Sequence, residues 1–131
     1  MIVGIVGTSH LTPKEETKAR EEIRHIIQSH MFNGDTHFVT GDANGIDKLV
    51  RELTCQYKTA STFFEADKKQ WTAFKKRNIE IAKFIDGIYC ITTKTKDEMC
   101  YHCNQDHQRT GGCWTLKYAK SLGKRGEVIV I

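Results

Sequence analysis

The chain is expected to be an α/β protein built on a five-stranded parallel sheet in the order 3-2-1-4-5, and three observations carry that expectation. Short apolar runs rich in β-branched residues alternate with segments of helical period. Three glycine-containing turns, Gly7-Thr8-Ser9-His10, Gly41-Asp42-Ala43-Asn44-Gly45 and Arg109-Thr110-Gly111-Gly112, each lead into a helix. The run from Gly87 to Thr92 is continuous and apolar, as a strand covered on both faces is. Right-handed crossovers between parallel strands then bring the three turns to the carboxyl edge of the sheet. The strand order reverses there between the first and fourth strands, which is where such sheets hold ligands.

Met1 to Val6 reads as the first strand, a buried central one ended by Gly7. Thr12-Pro13-Lys14-Glu15 starts a helix: Thr12 caps, Pro13 takes the first helical position and Glu15 completes a capping box. That helix runs to about His30 with Ala19, Ile23, Ile26 and Ile27 inward. Asn33-Gly34-Asp35 breaks it, and His37 to Thr40 is the second strand. Ile46 to Tyr57 is a helix with Ile46, Leu49, Val50 and Leu53 inward, and Thr62 to Phe64 is a brief third strand.

Lys68 to Phe84 reads as a long helix that buries Trp71, Phe74, Ile81 and Phe84 and turns Lys68, Lys69, Lys75, Lys76 and Arg77 outward. After the fourth strand, Thr93 to Thr110 is a polar loop far longer than a usual βα connection. Thr115 to Leu122 is the last helix, Gly123 its C-cap and Glu127 to Ile131 the last strand.

Composition sets the class. The 131 residues amount to one domain with a sizeable core, residues 1–131, and 39% hydrophobic with 27% charged residues describes an ordinary globular chain. No apolar run approaches the roughly 20 residues of a membrane span. The opening MIVGIVG has no basic leader region, so it reads as strand and the chain as cytoplasmic. A net charge of +4 suits phosphate ligands and falls short of the basic balance that alone indicates nucleic acid.

Chemistry concentrates in two places. The first is the Gly111-Gly112 pair at a helix start, with Thr115 in the first turn. Glycine lets a ligand approach the backbone, and the helix start supplies N–H groups and a positive dipole end for an anion. The second is a Cys/His loop counted over residues 93–113. Five cysteines form an odd set, against a closed disulfide framework. Cys100, Cys103, His107 and Cys113 give C-x2-C-x3-H-x5-C, a closed four-ligand set for a structural zinc. His102 competes with His107 for the nitrogen position, and free thiols on a loop are the alternative. Cys55 and Cys90, in apolar contexts, read as core residues.

Taken together, VGTSH, VTGDANGID, ADKKQWTAFKKRNIEIAKFIDGIYCI and TGGCWTLKYAKSLGK resemble the SLOG superfamily over nearly the whole chain. That group includes DprA-type DNA-processing proteins, LOG phosphoribohydrolases and small stand-alone YspA-like domains. The resemblance implies a Rossmann-like three-layer sandwich that binds nucleotides or nucleotide-derived ligands, and a homodimer. It places Gly7, Thr8 and Ser9 in the first phosphate-side turn and Gly41, Gly45 and Asp47 in the glycine-rich second turn. Arg77 and Asn78 match the pair at the middle of the long helix, and Gly111, Gly112 and Thr115 match the G-G-x-x-T segment. One position departs: LOG hydrolases carry a glutamate two residues past the threonine, where this chain has Lys117. The obvious general acid/base is therefore missing.

Ordinary structural roles compete at each position. Arg77 and Asn78 also fit a solvated helix face, and Ser9 and His10 a turn satisfying its own backbone. Asp42 and Asp47 fit turn and helix-start stabilisation better than a ribose contact. Trp71 and Trp114 read as packing before base stacking. The leading expectation is a nucleotide-binding module or ligand sensor, whose site comprises Gly7, Thr8, Ser9, Gly41, Asp42, Gly45, Arg77, Asn78, Gly111, Gly112 and Thr115. The second is a LOG-like N-glycosidase in which Asp42, Asp47 or Asp67 replaces the glutamate. The third is a DprA-like single-stranded nucleic-acid binder using the Lys68 to Arg77 face, with few exposed aromatics for stacking.

Overall fold

A computed structural model describes residues 1–32, 34–93 and 111–131. β1 (Ile2–Gly7), β2 (His37–Gly41), β3 (Ala60–Phe64), β4 (Gly87–Thr92) and β5 (Arg125–Val130) pair in parallel in the order β3-β2-β1-β4-β5. The helices are α1 (Pro13–Met31), α2 (Ile46–Gln56), α3 (Trp71–Phe84) and α4 (Gly111–Ser121).

Side-chain alternation along the strands divides the interior into two layers. Val3 and Ile5 of β1, Phe38 of β2 and Ile91 of β4 pack with Ile23 and Ile27 of α1 and Leu49, Val50 and Leu53 of α2. Val6, Val39, Ile88 and Cys90 face the other way, onto Ile81, Ala82 and Ile85 and onto Cys113, Leu116 and Ala119 of α4. This is a three-layer α/β/α, Rossmann-like arrangement. Among the described residues, no helix is long and apolar enough to cross a membrane.

The start of α1 forms as its residues dictate. Thr12 Oγ1 accepts from the Glu15 N–H at 3.2 Å, and Glu15 Oε1 accepts from the Thr12 N–H at 2.9 Å. These two bonds satisfy donors that the first turn of a helix leaves without intrahelical partners.

Several boundaries and faces differ from the sequence expectation. β3 is five residues long, and α4 begins at Gly111, so the glycine pair lies inside its first turn. α3 begins at Trp71 rather than Lys68, and its inward stripe is Arg77, Asn78, Ile81 and Ala82. Trp71 and Phe84, expected in the core, are 48% and 44% exposed, while Arg77, expected outside, is only 7% exposed. The helix turned toward its apolar C-terminal half and carried Arg77 inward, where an acidic partner meets it. Cys55, expected in the core, is exposed because it lies opposite the Leu49, Val50 and Leu53 stripe of α2. Cys90 is buried as expected.

Candidate functional site

β1 and β4 end level with each other, Gly7 opposite Ile91, and the segments beyond them meet over the sheet edge. Thr8 ties them together: its N–H donates to the Ile91 carbonyl at 3.1 Å and its carbonyl accepts from the Ile46 N–H at 3.0 Å. Gly7 is held between two helices. A Cβ there would overlap Ile46 of α2, and a Cβ on Gly112 would stand 2.9 Å from the Gly7 Cα and N. Glycine at both positions lets α4 start directly against β1. Gly45, the N-cap of α2, has φ of +69° and lies against the Thr8–Ser9 backbone, an approach open to a residue without a side chain.

Between these segments lies a cavity of about 310 Å³. Gly7, Thr8, Ser9 and His10 form one side of it, Gly111, Gly112 and Thr115 of α4 another, and Arg77 and Asn78 of α3 the base. Trp71 and Phe74 supply an aromatic wall, and Ala43 and Asp47 come from the second turn and α2. Most of the expected site residues are thus together. Gly41, Asp42 and Gly45 are outside the lining and act behind it.

Behind the cavity wall the second turn holds the cationic group. Arg77 Nη1 donates to Asp42 Oδ1 in an ion pair, and Arg77 Nε donates to Asn78 Oδ1 at 3.1 Å. The guanidinium also lies 5.4 Å above the Phe74 ring centre. Asp42 Oδ2 accepts from the Ala66 N–H at 3.2 Å, so both of its oxygens are engaged. Gly41 makes the assembly compact: a Cβ there would be 2.5 Å from Asp47 Oδ2 and 3.1 Å from Arg77 Nη1. Arg51, which the sequence reading did not single out, donates to the carbonyls of Gly41 and Ala43 at 2.8 and 3.1 Å and fixes the turn. Its place four residues after Asp47, on the same helix face, was the available signal.

Asp47 is not a simple helix-start residue. It is 4% exposed, with Oδ2 accepting from the Ala43 N–H at 3.3 Å and Oδ1 without a hydrogen-bond partner among the described residues. Burial pushes its carboxyl up to about 6, against the opposing pull of the Arg77 charge, the nearby Thr40 hydroxyl, the Ala43 N–H and Arg51. The Thr40 hydroxyl is close enough to act on the carboxyl, yet Thr40 Oγ1 and Asp47 Oδ1 complete no hydrogen bond. Asn78, 3% exposed, spends its oxygen on Arg77, and its Nδ2 also has no partner among the described residues. A Cβ on Gly111 would lie 3.4 Å from that nitrogen, so the amide stands beside the start of α4.

The α4 hydroxyl of Thr115 donates to the Gly111 carbonyl at 2.7 Å, inside the helix. Trp71 and Trp114 meet edge to face with ring centres 5.8 Å apart, and Trp114 stacks on Tyr118 at 5.4 Å. Trp71 is thus held by α4 while it borders the cavity. Lys117, at the position of the LOG glutamate, is exposed and outside the lining, as is Asp67. Among the described residues, Asp47 is the one carboxylate in the cavity wall.

Of the four zinc ligands expected from the sequence, Cys100, Cys103 and His107 lie outside the described residues, as does the competing His102. Cys113 is fully buried in the first turn of α4, its Sγ 3.7 Å from that of Cys90. The described residues contain no group of three or more histidine, cysteine or acidic side chains placed to hold a metal.

No protein-family model and no curated protein matches the sequence. Among solved structures, the chain is similar to the DNA processing protein A (DprA) of Streptococcus pneumoniae, with a TM-score of 0.71 at 15% identity. The match covers 96% of this chain and 49% of that one, so the chain spans about half the length of its structural neighbour. At that identity the likeness is one of fold: this chain has a DprA-like, Rossmann-like fold over nearly its whole length.

Proposed function

We propose that this chain binds a phosphorylated, nucleotide-like small molecule in the cavity between β1, α3 and α4, as a binding module or ligand sensor. One observation carries the reading. Asp47 Oδ1 and Asn78 Nδ2 are buried in the cavity wall without partners among the described residues, an acceptor and a donor left for something that enters. Native proteins seldom leave such groups unpaired, and those that do often reserve them for function. The surroundings fit the ligand class. The start of α4, with Gly111 and Gly112, offers N–H groups and a positive dipole end to a phosphate, beside the Asn78 amide. Trp71 and Phe74 offer apolar surface to a base. A volume of about 310 Å³ lies at the small end of ligand cavities, in keeping with one nucleotide.

Calorimetric titration with the four ribonucleoside 5′-monophosphates tests this. Saturable one-to-one binding of at least one of them is expected, and no binding by any would overturn the reading. Native mass spectrometry of freshly purified protein adds the mass of a retained nucleotide, the number of chains in the expected homodimer and the zinc content. The zinc proposal rests on the spacing of Cys100, Cys103, His107 and Cys113, and fails if the chain carries no zinc.

A second reading, single-stranded nucleic-acid binding, is supported by the DprA-like fold and by the exposed Lys68, Lys69, Lys75 and Lys76 near the aromatic wall. It requires oligonucleotides to bind more tightly than mononucleotides, with an affinity that falls steeply with salt. N-glycosidic hydrolysis at the same site would depend on Asp47 as its acid or base, and release of free base from a nucleoside monophosphate is its readout.

A further inference from the structure

We infer that Asp47 is the sugar-reading residue of the cavity, accepting a hydrogen bond from a ribose hydroxyl, so that the ligand is a ribonucleotide and not merely a phosphate ester carrying a base. The inference rests on the cavity being a nucleotide site. Its own basis is the disposition of the two orphaned groups.

Apart from the Thr40 hydroxyl, which lies outside the cavity lining, the charged and polar groups around Asp47 have partners of their own. Arg77 donates through Nη1 to Asp42 and through Nε to Asn78 Oδ1, Arg51 donates to the carbonyls of Gly41 and Ala43, and the Ala43 N–H donates to Asp47 Oδ2. Oδ1, in the cavity wall, is a buried acceptor without a hydrogen donor among the described residues. A dianionic phosphate, the main form at neutral pH, cannot supply one. It offers acceptors and negative charge, which a carboxylate repels. The phosphate is therefore placed where donors gather, at the α4 start and Asn78 Nδ2. The ligand group at Asp47 is then a hydroxyl or an amine. Hydroxyls are carried by the sugar of every ribonucleotide, whereas an exocyclic amine depends on the base. Asp47 reaches the cavity from the start of α2, while the flat apolar surface suited to the base is on α3, at Trp71 and Phe74. Asp47 therefore reads the sugar between phosphate and base.

The test compares each ribonucleoside 5′-monophosphate with its 2′,3′-dideoxy counterpart by calorimetry, on the wild-type chain and on Asp47→Asn. For every base that binds, loss of the hydroxyls lowers wild-type affinity by about tenfold or more, the usual worth of a hydrogen bond to a charged group. In Asp47→Asn that ratio shrinks to within about threefold. Uridine monophosphate, which has no exocyclic amine, follows the same pattern if it binds. Equal wild-type affinity for the two series overturns the inference while leaving the nucleotide site intact. A ratio unchanged in a folded Asp47→Asn also overturns it, by assigning the hydroxyl to another residue. Failure of both series to bind removes the nucleotide reading and this inference with it. A circular-dichroism melt establishes that the variant folds, and the wild-type comparison decides the matter without it.

Discussion

Gly112 in the first turn of α4 rests on Gly7 at the end of β1, so closely that a methyl group on Gly112 would stand 2.9 Å from two backbone atoms of Gly7. The contact brings the start of the helix to the edge of the sheet and sets the width of the cavity there. A backbone neighbour cannot swing aside as a side chain can. Gly112→Ala is therefore expected to destabilise the fold by about 1–3 kcal/mol, the usual cost of overfilling a packed contact. Gly111→Ala meets only ordinary contact with Asn78 Nδ2, at 3.4 Å, and should be nearly neutral. Urea unfolding of both variants checks the difference, and equal losses would refute the contact as its cause.

Asp47 makes stability depend on pH. Its carboxyl moves from the ordinary 3.8 up to about 6 on folding because it is buried. Between those values the folded chain keeps a proton that the unfolded chain has released, so stability falls as pH rises through the window. Above it, holding the ionised carboxyl in place costs about 3 kcal/mol, at about 1.4 kcal/mol per pH unit. Asp47→Asn should then be more stable than wild type at neutral pH, with the gain vanishing toward pH 4. Unfolding free energies measured across that range decide it, since a gain that does not change with pH would not come from ionisation. Retaining a carboxylate at such a cost is what a binding group would require.

Arg77 is the counter-charge of the buried acidic side of the site. Arg77→Leu leaves Asp42 and Asp47 without it, and about 2–3 kcal/mol of stability should be lost, tempered by the partial exposure of Asp42. Adding Asp42→Asn should restore part of the loss, because the two changes remove one interaction. The Asp47 carboxyl, freed from the Arg77 charge that opposes its shift, should titrate higher than in wild type. Carboxyl titration by NMR reads that directly.

Trp71, half exposed and braced edge-on by Trp114, is the aromatic surface that the proposed nucleotide site would offer to a base. Trp71→Ala should weaken nucleotide binding by about tenfold, within the usual worth of stacking one base. Binding of ribose 5-phosphate, which has no base, should be unchanged. Calorimetry with both ligands separates the two effects, and parallel losses would show that Trp71 shapes the whole cavity instead.

Much of this was written in local chemistry. The capping box of Thr12 and Glu15 starts α1 where the residues place it, because its two bonds are made within one turn. The inward stripe of Ala19, Ile23, Ile26 and Ile27 follows from helical period, and the order β3-β2-β1-β4-β5 from alternation and crossover handedness. The glycine turns beside β1 and at α4 were legible for a related reason: only residues without side chains let those segments approach. The orientation of α3 was not legible. Its lysines and Arg77 look alike along the chain, and what takes Arg77 inward is Asp42, 35 residues earlier in sequence and an ion pair away in space.

By itself, then, the sequence determined which segments are strands and helices, how they are ordered and where the backbone must come close, because those depend on near neighbours and on side-chain size. The tertiary structure decided what each polar group faces. It buried Asp47 and Asn78 with one atom each unpaired among the described residues, spent both oxygens of Asp42 on Arg77 and Ala66, and turned Lys117 to solvent. Desolvation and hydrogen bonding depend on which distant segments pack around a group, and only the folded chain assembles those.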